Sequence, residues 1–304
     1  MMHISDQQVK QALSYSTCVE LLRSAFLQHA SNQAVILPRL RASLSPVSLS
    51  VMGAILPAVG VMGVKSYPTI AGKFNFLVNL FDSTTGEHLC AVDANEVTAF
   101  RTAALTQLAF EVAGVKSMES LAIFGTGIQA WSHLQCLSQR WQIGELHVVG
   151  VSDEESLTFA QKARATLGIN AVASGTARAL SECSNFVTAT RSSEPLFDGA
   201  SLPANAFVAA IGSSKPQSRE IDEAAMRRAS EIIVEWRPQS CAEAGEFAQL
   251  PQGVTEMLPI VEIGDMIVNA NGAKKASDGI RIFKSVGVGL SDVAICAYLY
   301  RYYR

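Results

Sequence analysis

The sequence lacks most of the features that mark specialised protein classes. Its six cysteines (18, 90, 136, 183, 241 and 296) are scattered and form no Cys-x-x-Cys pair. That argues against a disulfide framework or zinc ribbon, and reads as small buried hydrophobes in a reducing compartment. The five histidines stand apart, without an HExxH pattern, so no metal is expected. Lys and Arg total 24 against 27 Asp and Glu, a formal net charge of −3, which leaves no basic footprint for nucleic acid. Met1 to Gln11 is polar and lacks the apolar core of a secretory signal. The mean hydropathy of +0.22 is high for a soluble protein. Even so, the longest apolar run, Val47 to Val64, is interrupted by Pro57, three glycines and two serines. Two buried strands around a turn fit it better than a bilayer span. The chain is therefore expected to be soluble and cytoplasmic, and its 304 residues can bury a sizeable core in about two domains.

What is present centres on Leu121 to Ala130, LAIFGTGIQA. Four apolar residues run into Gly125-Thr126-Gly127, and the amphipathic WSHLQCLSQRW follows. This is the strand, glycine turn and helix start of a dinucleotide site. Gly125 permits the tight turn, Gly127 lets the backbone approach a pyrophosphate, and the small Ala130 allows close helix–strand packing. The helix N-terminus offers free N–H groups to phosphate. A second strand, Glu145 to Gly150, follows about twenty residues on, as the motif requires. Strands are expected at 120–125, 145–150, 170–174, 184–190, 206–212 and 230–234, with helices between most of them. Such alternation implies a parallel sheet covered on both faces.

The N-terminal part has a different texture. Thr17-Cys18-Val19-Glu20 has the spacing of a capping box and predicts a helix over 17–30, with Val19, Leu22, Phe26 and Ala30 on one face. From Val35 to Val92, short apolar runs punctuated by Pro and Gly predict a mostly antiparallel sheet, with a hairpin turn at Asp82 to Gly86. Asn95 to Val112 reads as a helix, Gly264 to Ser277 as a surface loop, and Ser291 to Arg304 as a last helix. That last helix carries Ile295, Tyr298 and Tyr302 on one face and needs a partner surface, for which the first domain is a candidate.

Several residues could carry chemistry. Lys65 ends an otherwise apolar strand, where an ammonium needs either an anionic partner or a route to water. Arg39 and Arg41, two apart on a strand, share a face and could clamp a carboxylate, or could guard an exposed edge. Arg101 interrupts an Ala-rich helix, either to hold an anion or to face solvent. Ser152 and Asp153 follow the second parallel strand, where the adenosine ribose is read. A serine and acids without arginine give a mixed signal that leans to NAD over NADP. Ser213-Ser214-Lys215-Pro216 follows a strand at the ligand-binding edge, and is also ordinary turn chemistry.

The ordered set Pro38-Arg39, Gly63-Val64-Lys65, Arg101 to Ala104, Gly125 to Ala130, Ile211 to Pro216 and Phe283 to Gly287 resembles the ornithine cyclodeaminase/mu-crystallin family through nearly the whole chain. The resemblance implies an α/β protein in which a Rossmann doubly wound parallel sheet (116–281) is inserted in a mixed α+β substrate and dimerisation domain (1–115 plus 282–304). It implies a homodimer, NAD(P)H as cofactor, and a small cyclic imino acid or amino acid as substrate. It assigns the substrate carboxylate to Arg39 and Arg101, and puts Lys65 beside the reacting carbon and nitrogen. The cofactor would meet Arg101, Thr102, Gly125, Thr126, Gly127, Ile128, Gln129, Ser152, Thr190 and Ile211. One departure matters. Cyclodeaminases of this kind carry an aspartate in the Ile-Gly-x-Asp block, and this chain has Ser214 there, as the mu-crystallin type does. Deamination suits a carboxylate base. Reduction of a preformed C=N needs only hydride delivery and a polarised nitrogen, for which serine suffices. The resemblance therefore implies a cyclic ketimine reductase, with Lys65 and Ser214 at the reacting bond. Ornithine cyclodeaminase, amino-acid dehydrogenase and a non-catalytic mu-crystallin-like binder remain the alternatives.

Overall fold

The computed structural model describes residues 2–269 and 279–304. It divides into two compact units, one of residues 1–108 with 287–304 and the other of residues 109–286.

The first unit is built on a seven-stranded sheet. After β1 (Met2–Ile4), helices α1 (Asp6–Ala12) and α2 (Tyr15–Ala30) precede β2 (Val35–Leu44), β3 (Val47–Leu56), β4 (Val61–Ile70), β5 (Lys73–Phe74), β6 (Leu77–Asp82) and β7 (His88–Asp93). The order is β1-β7-β6-β4-β3-β2, with β5 on β4, and every pairing is antiparallel except β1 with β7. Helix α3 (Asn95–Val112) then leads out of the sheet. The capping residue of α2 is Ser14, whose hydroxyl accepts from Thr17 N at 3.1 Å. The helix thus starts nearly a turn before the expected Thr17, and Thr17 is its third residue rather than its cap. Tyr15, which the earlier start takes into the helix, is buried. The Asp82 turn is closed by its carboxylate, which accepts from Thr84 N and Thr85 N. The first half of β3 is largely exposed rather than buried, with Leu49 54% accessible.

The C-terminal helix, Gly289–Tyr303, packs on β3, β4 and α2. Glycine makes this approach possible. A Cβ on Gly289 would meet the Gly53 backbone at 2.5 Å, and one on Gly53 would meet Gly63 O at 2.3 Å. The first turn of the helix therefore lies directly on the sheet, which brings Asp292 down to Lys65. Ile295 is buried on this helix as expected, together with Leu290, Val293, Cys296 and Leu299, but Tyr302 is 57% exposed.

The second unit is an eight-stranded, wholly parallel sheet. Its strands are β8 (Met118–Phe124), β9 (Ile143–Val149), β10 (Ala171–Ala173), β11 (Asn185–Thr188), β12 (Phe207–Ala210), β13 (Ala229–Val234), β14 (Ile260–Glu262) and β15 (Ile280–Lys284). Helices α4 (Ile128–Arg140), α5 (Asp153–Leu167), α6 (Thr176–Glu182), α7 (Glu223–Arg228), α8 (Arg237–Glu243), α9 (Gly245–Ala248) and α10 (Ile263–Asn269) connect them. The order β10-β9-β8-β11-β12-β15-β13-β14 reverses direction between β8 and β11, where doubly wound sheets take their ligands. All six expected strands are present. β14 and β15 are additional, and β15 slots between β12 and β13. The loop expected over 264–277 is helical up to Asn269, because Ile263 and Ile267 are buried one turn apart; its remainder lies outside the described residues. No described helix is long and apolar enough to cross a membrane. The six cysteines are free, and all but Cys241 are buried.

Candidate active site

In the first unit, three cations and one anion converge. Lys65, on the inner face of β4, is fully buried. Its ammonium donates to Asp292 Oδ1 at 2.7 Å and Thr98 Oγ1 at 2.6 Å, and lies 4.2 Å from the centre of the Phe76 ring. Thr98 in turn donates to Ala94 O, so its hydroxyl can only accept from the lysine. Burial lowers the Lys65 pKa from 10.5 to about 8; Asp292 opposes this, and Arg101 and Arg39 add to it. Arg101 is 7% exposed, with Nε 3.7 Å from Asp292 Oδ1. Arg39 donates to Gly287 O at 2.8 Å and contacts Met52 Sδ.

Gly287 lies against both guanidiniums. Its carbonyl fixes Arg39, and a Cβ there would meet the Arg101 guanidinium at 2.9 Å. Its φ of +76° is the left-handed conformation that favours glycine. Arg41 does not join this group. The register slips between Leu37 and Leu40, and Arg41, exposed, donates to Ser50 Oγ. A bulge re-aims side chains in this way. Thr102 gives its hydroxyl to Thr98 O within α3. The cluster carries an excess of positive charge, with Arg101 Nε and Asp292 Oδ2 buried and lacking hydrogen-bond partners among the described residues. Such a site attracts an anion.

In the second unit, the glycine turn has the form its sequence implies. Gly125 has φ +103°, and a Cβ there would meet Ala189 O at 2.6 Å. Gly127 caps α4 without a side-chain bond, and a Cβ on it would meet nothing within 4 Å. The first N–H groups of the helix are therefore uncapped beside open space, which fits a dinucleotide pyrophosphate. Ala130 is fully buried where α4 packs, and Ile128 is 78% exposed. Gln129 passes its carbonyl to His133 Nδ1. Thr126 donates to Glu155 across the turn, and Ser152 caps α5 through Glu155 N.

At the ends of β11 and β12, buried Glu220 accepts from Thr188 Oγ1, from Thr190 N and Oγ1, and from Gly212 N, all at 2.7–2.8 Å. Burial pushes its pKa up, while Lys284 and these donors pull it down. Lys284 bridges Glu246 and Ser213 O, fixing the loop that bears half-buried Ser214. Ile211 lies at the start of that loop. Among the described residues, one group has metal-ligand proximity, Glu145, His147 and Glu182. Both carboxylates face His147 Nε2, and Arg178 grips Glu182 through both oxygens, so these side chains already partner one another.

The structure thus brings Arg39, Lys65 and Arg101 together in one unit, and assembles Gly125 to Gln129 with Ser152 in the other. Sequence reasoning missed Asp292, Thr98, Lys284 and the position of Gly287 against the guanidiniums. The available signal for Asp292 was a lone acid inside the apolar GLSDVAICAYL, which has to find a cation when the helix is buried.

Comparison with known proteins gives the family. The model of the ornithine cyclodeaminase/mu-crystallin family matches residues 1–303. A Delta(1)-pyrroline-2-carboxylate reductase of Bacillus cereus is 29% identical over 273 residues, 88% of this chain and 81% of that one. The ketimine reductase mu-crystallin of Mus musculus is 29% identical over 224 residues, 73% of this chain and 68% of that one. Among solved structures, a probable ornithine cyclodeaminase from Bordetella pertussis Tohama I superposes with a TM-score of 0.92 at 38% identity, over 99% of this chain and 96% of that one.

Proposed function

This chain belongs to the ornithine cyclodeaminase/mu-crystallin family, and from that premise we propose that it reduces a cyclic ketimine with NAD(P)H. The substrate in this reading is Δ1-pyrroline-2-carboxylate, giving proline, or its six-membered analogue, giving pipecolate. The observation that carries the reading is the buried Lys65 set among Arg39, Arg101 and Asp292. Arg39 and Arg101 hold the carboxylate and so fix the ring. Lys65, with its pKa lowered to about 8, donates a hydrogen bond to the unprotonated imine nitrogen and so supplies the proton that the nitrogen takes as the hydride reaches the carbon. Asp292 and Thr98 fix the ammonium, and Ser214 orients the ring nitrogen. The cofactor, on the Gly125–Gly127 turn, supplies the hydride to the imine carbon. The protein contributes position and field.

The test is an initial-rate panel of both cyclic ketimines with NADH and NADPH, repeated for Lys65→Met. Loss of turnover with nucleotide binding retained is the expected result; normal turnover in the variant refutes the role of Lys65.

The 38% identity to a protein described as a probable ornithine cyclodeaminase favours one other reading, ammonia release from ornithine. Ser214 argues against it, since that chemistry suits a carboxylate base. An ammonia assay with ornithine separates the two. Ser214→Asp should impair ketimine reduction and is the variant in which any ornithine-dependent ammonia release should emerge. Full reductase activity in that variant removes Ser214 from the mechanism.

The same reading includes a homodimer. It is supported by exposed apolar side chains on β2–β5, among them Leu40 (67%), Leu44 (80%), Leu49 and Ile70, with β2 at the sheet edge. An apolar area of this kind marks an interface.

A further inference from the structure

We infer that Glu155 makes the dinucleotide site selective for NADH over NADPH, an inference that rests on the cofactor reading above. The two nucleotides differ only by a phosphate on the adenosine ribose. That ribose is read where the second strand of the nucleotide-binding half ends, here at Val149. In most such sites, the residue following the strand decides between the cofactors with an acid or an arginine. This chain cannot use that device. Gly150 stands there, and a Cβ on it would meet Ser156 Oγ at 2.9 Å and Thr126 Cγ2 at 3.1 Å. The next residue, Val151, is 95% exposed and apolar.

The charge at this edge comes from α5 instead. Its first turn carries Asp153, Glu154 and Glu155, and no basic residue lies between Gly150 and Gln161. Glu155 is drawn towards the glycine turn by Thr126, whose hydroxyl donates to Oε2 at 2.9 Å. Both residues line a cavity of about 540 Å³ together with Gly127, Trp131, Phe159 and Lys162. Lys162, the cation of that lining, is seated on the Trp131 ring at 3.7 Å. It stands seven residues beyond Glu155, about 10 Å further along the helix. A ribose phosphate at the strand end therefore meets a carboxylate first, whereas a ribose hydroxyl can donate to it. Like charges on a surface repel, and salt weakens the repulsion.

The test is fluorescence titration of the wild type and of Glu155→Gln with NADH and NADPH, without substrate, at low and high salt. Glu155 is exposed, so the variant keeps the fold. The expected wild-type result is NADH binding at least about tenfold more tightly than NADPH, a gap near 1.4 kcal/mol. Glu155→Gln should narrow the gap by strengthening NADPH binding, and high salt should narrow it more in the wild type than in the variant. Equal affinities in the wild type, or a gap unmoved by both the substitution and salt, overturn this inference and leave the oxidoreductase reading standing. Binding of neither nucleotide overturns both.

Discussion

Asp292→Asn is the sharpest perturbation of the cluster, because it removes one charge and keeps nearly the same shape. In the wild type, burial lowers the Lys65 pKa from 10.5 to about 8 even with Asp292 at 2.7 Å. Holding the ammonium in place therefore costs about 3 kcal/mol. Asn can still accept the hydrogen bond, but it no longer offsets the burial or the field of Arg39 and Arg101, so the Lys65 pKa falls further. If protonated Lys65 is the working form, kcat/KM for the ketimine is flat below about pH 8 and falls above it in the wild type. In Asp292→Asn that alkaline limb should move down by at least about one pH unit. Stability gives a second reading with its own sign. The folded-state pKa lies below the unfolded one, so between about 8 and 10.5 the unfolded chain holds the extra proton. The contribution of Lys65 to stability therefore rises with pH through that window and is constant below it. Breaking a buried pair from one side costs about 3–5 kcal/mol, and denaturant melts should show a loss of that order at neutral pH that shrinks as pH rises. A folded Asp292→Asn enzyme with its alkaline limb unmoved would refute the argument.

Gly287→Ala forces a Cβ against the Arg101 guanidinium and a side chain into φ +76°, at a cost of about 1–3 kcal/mol. It should raise KM for the carboxylate substrate while NADH affinity stays constant, and an unchanged KM would remove Gly287 from the anion site. Leu40→Glu puts a charge on a residue that is 67% exposed at the edge strand β2. Sedimentation should show a monomer, and a persisting dimer would place the interface elsewhere.

The parts of this protein that were legible in the sequence are those where local pattern and tertiary role coincide. Six of the eight strands of the parallel sheet were readable as apolar runs, and α3 was readable over Asn95–Val112 from its Ala and Leu content. Gly125 and Gly127 were readable because backbone geometry leaves few alternatives at a phosphate turn. What failed was non-local. Strand β15 is fixed by pairing with β12 and β13 on both sides, which no window around Ile280–Lys284 reveals. Arg39 and Arg41 look equivalent by period two, until a bulge in β2 separates them. Lys65 and Asp292 are 227 residues apart and meet only because Gly53, Gly63 and Gly289 let the last helix lie against the sheet.

That long-range contact also explains why the cluster suits a substrate that carries its own negative charge. Burial lowers the Lys65 pKa to about 8 against the pull of Asp292, and the fields of Arg101 and Arg39 add to the lowering, so without a ligand its proton is held less firmly than in water. In the proposed reading, a carboxylate held by Arg39 and Arg101 adds an anion, and the pKa of Lys65 rises as it binds. By linkage, the protonated enzyme is then the one that holds the substrate more tightly. The proton on Lys65 is thereby held more firmly once the ring arrives, which extends the protonated form to higher pH. In the proposed reading, a neutral ring lacking the carboxylate would not raise the Lys65 pKa, so the charge balance of Arg39, Lys65, Arg101 and Asp292 predicts selectivity for imino acids over simple cyclic imines, and equal kcat/KM for the two would refute it.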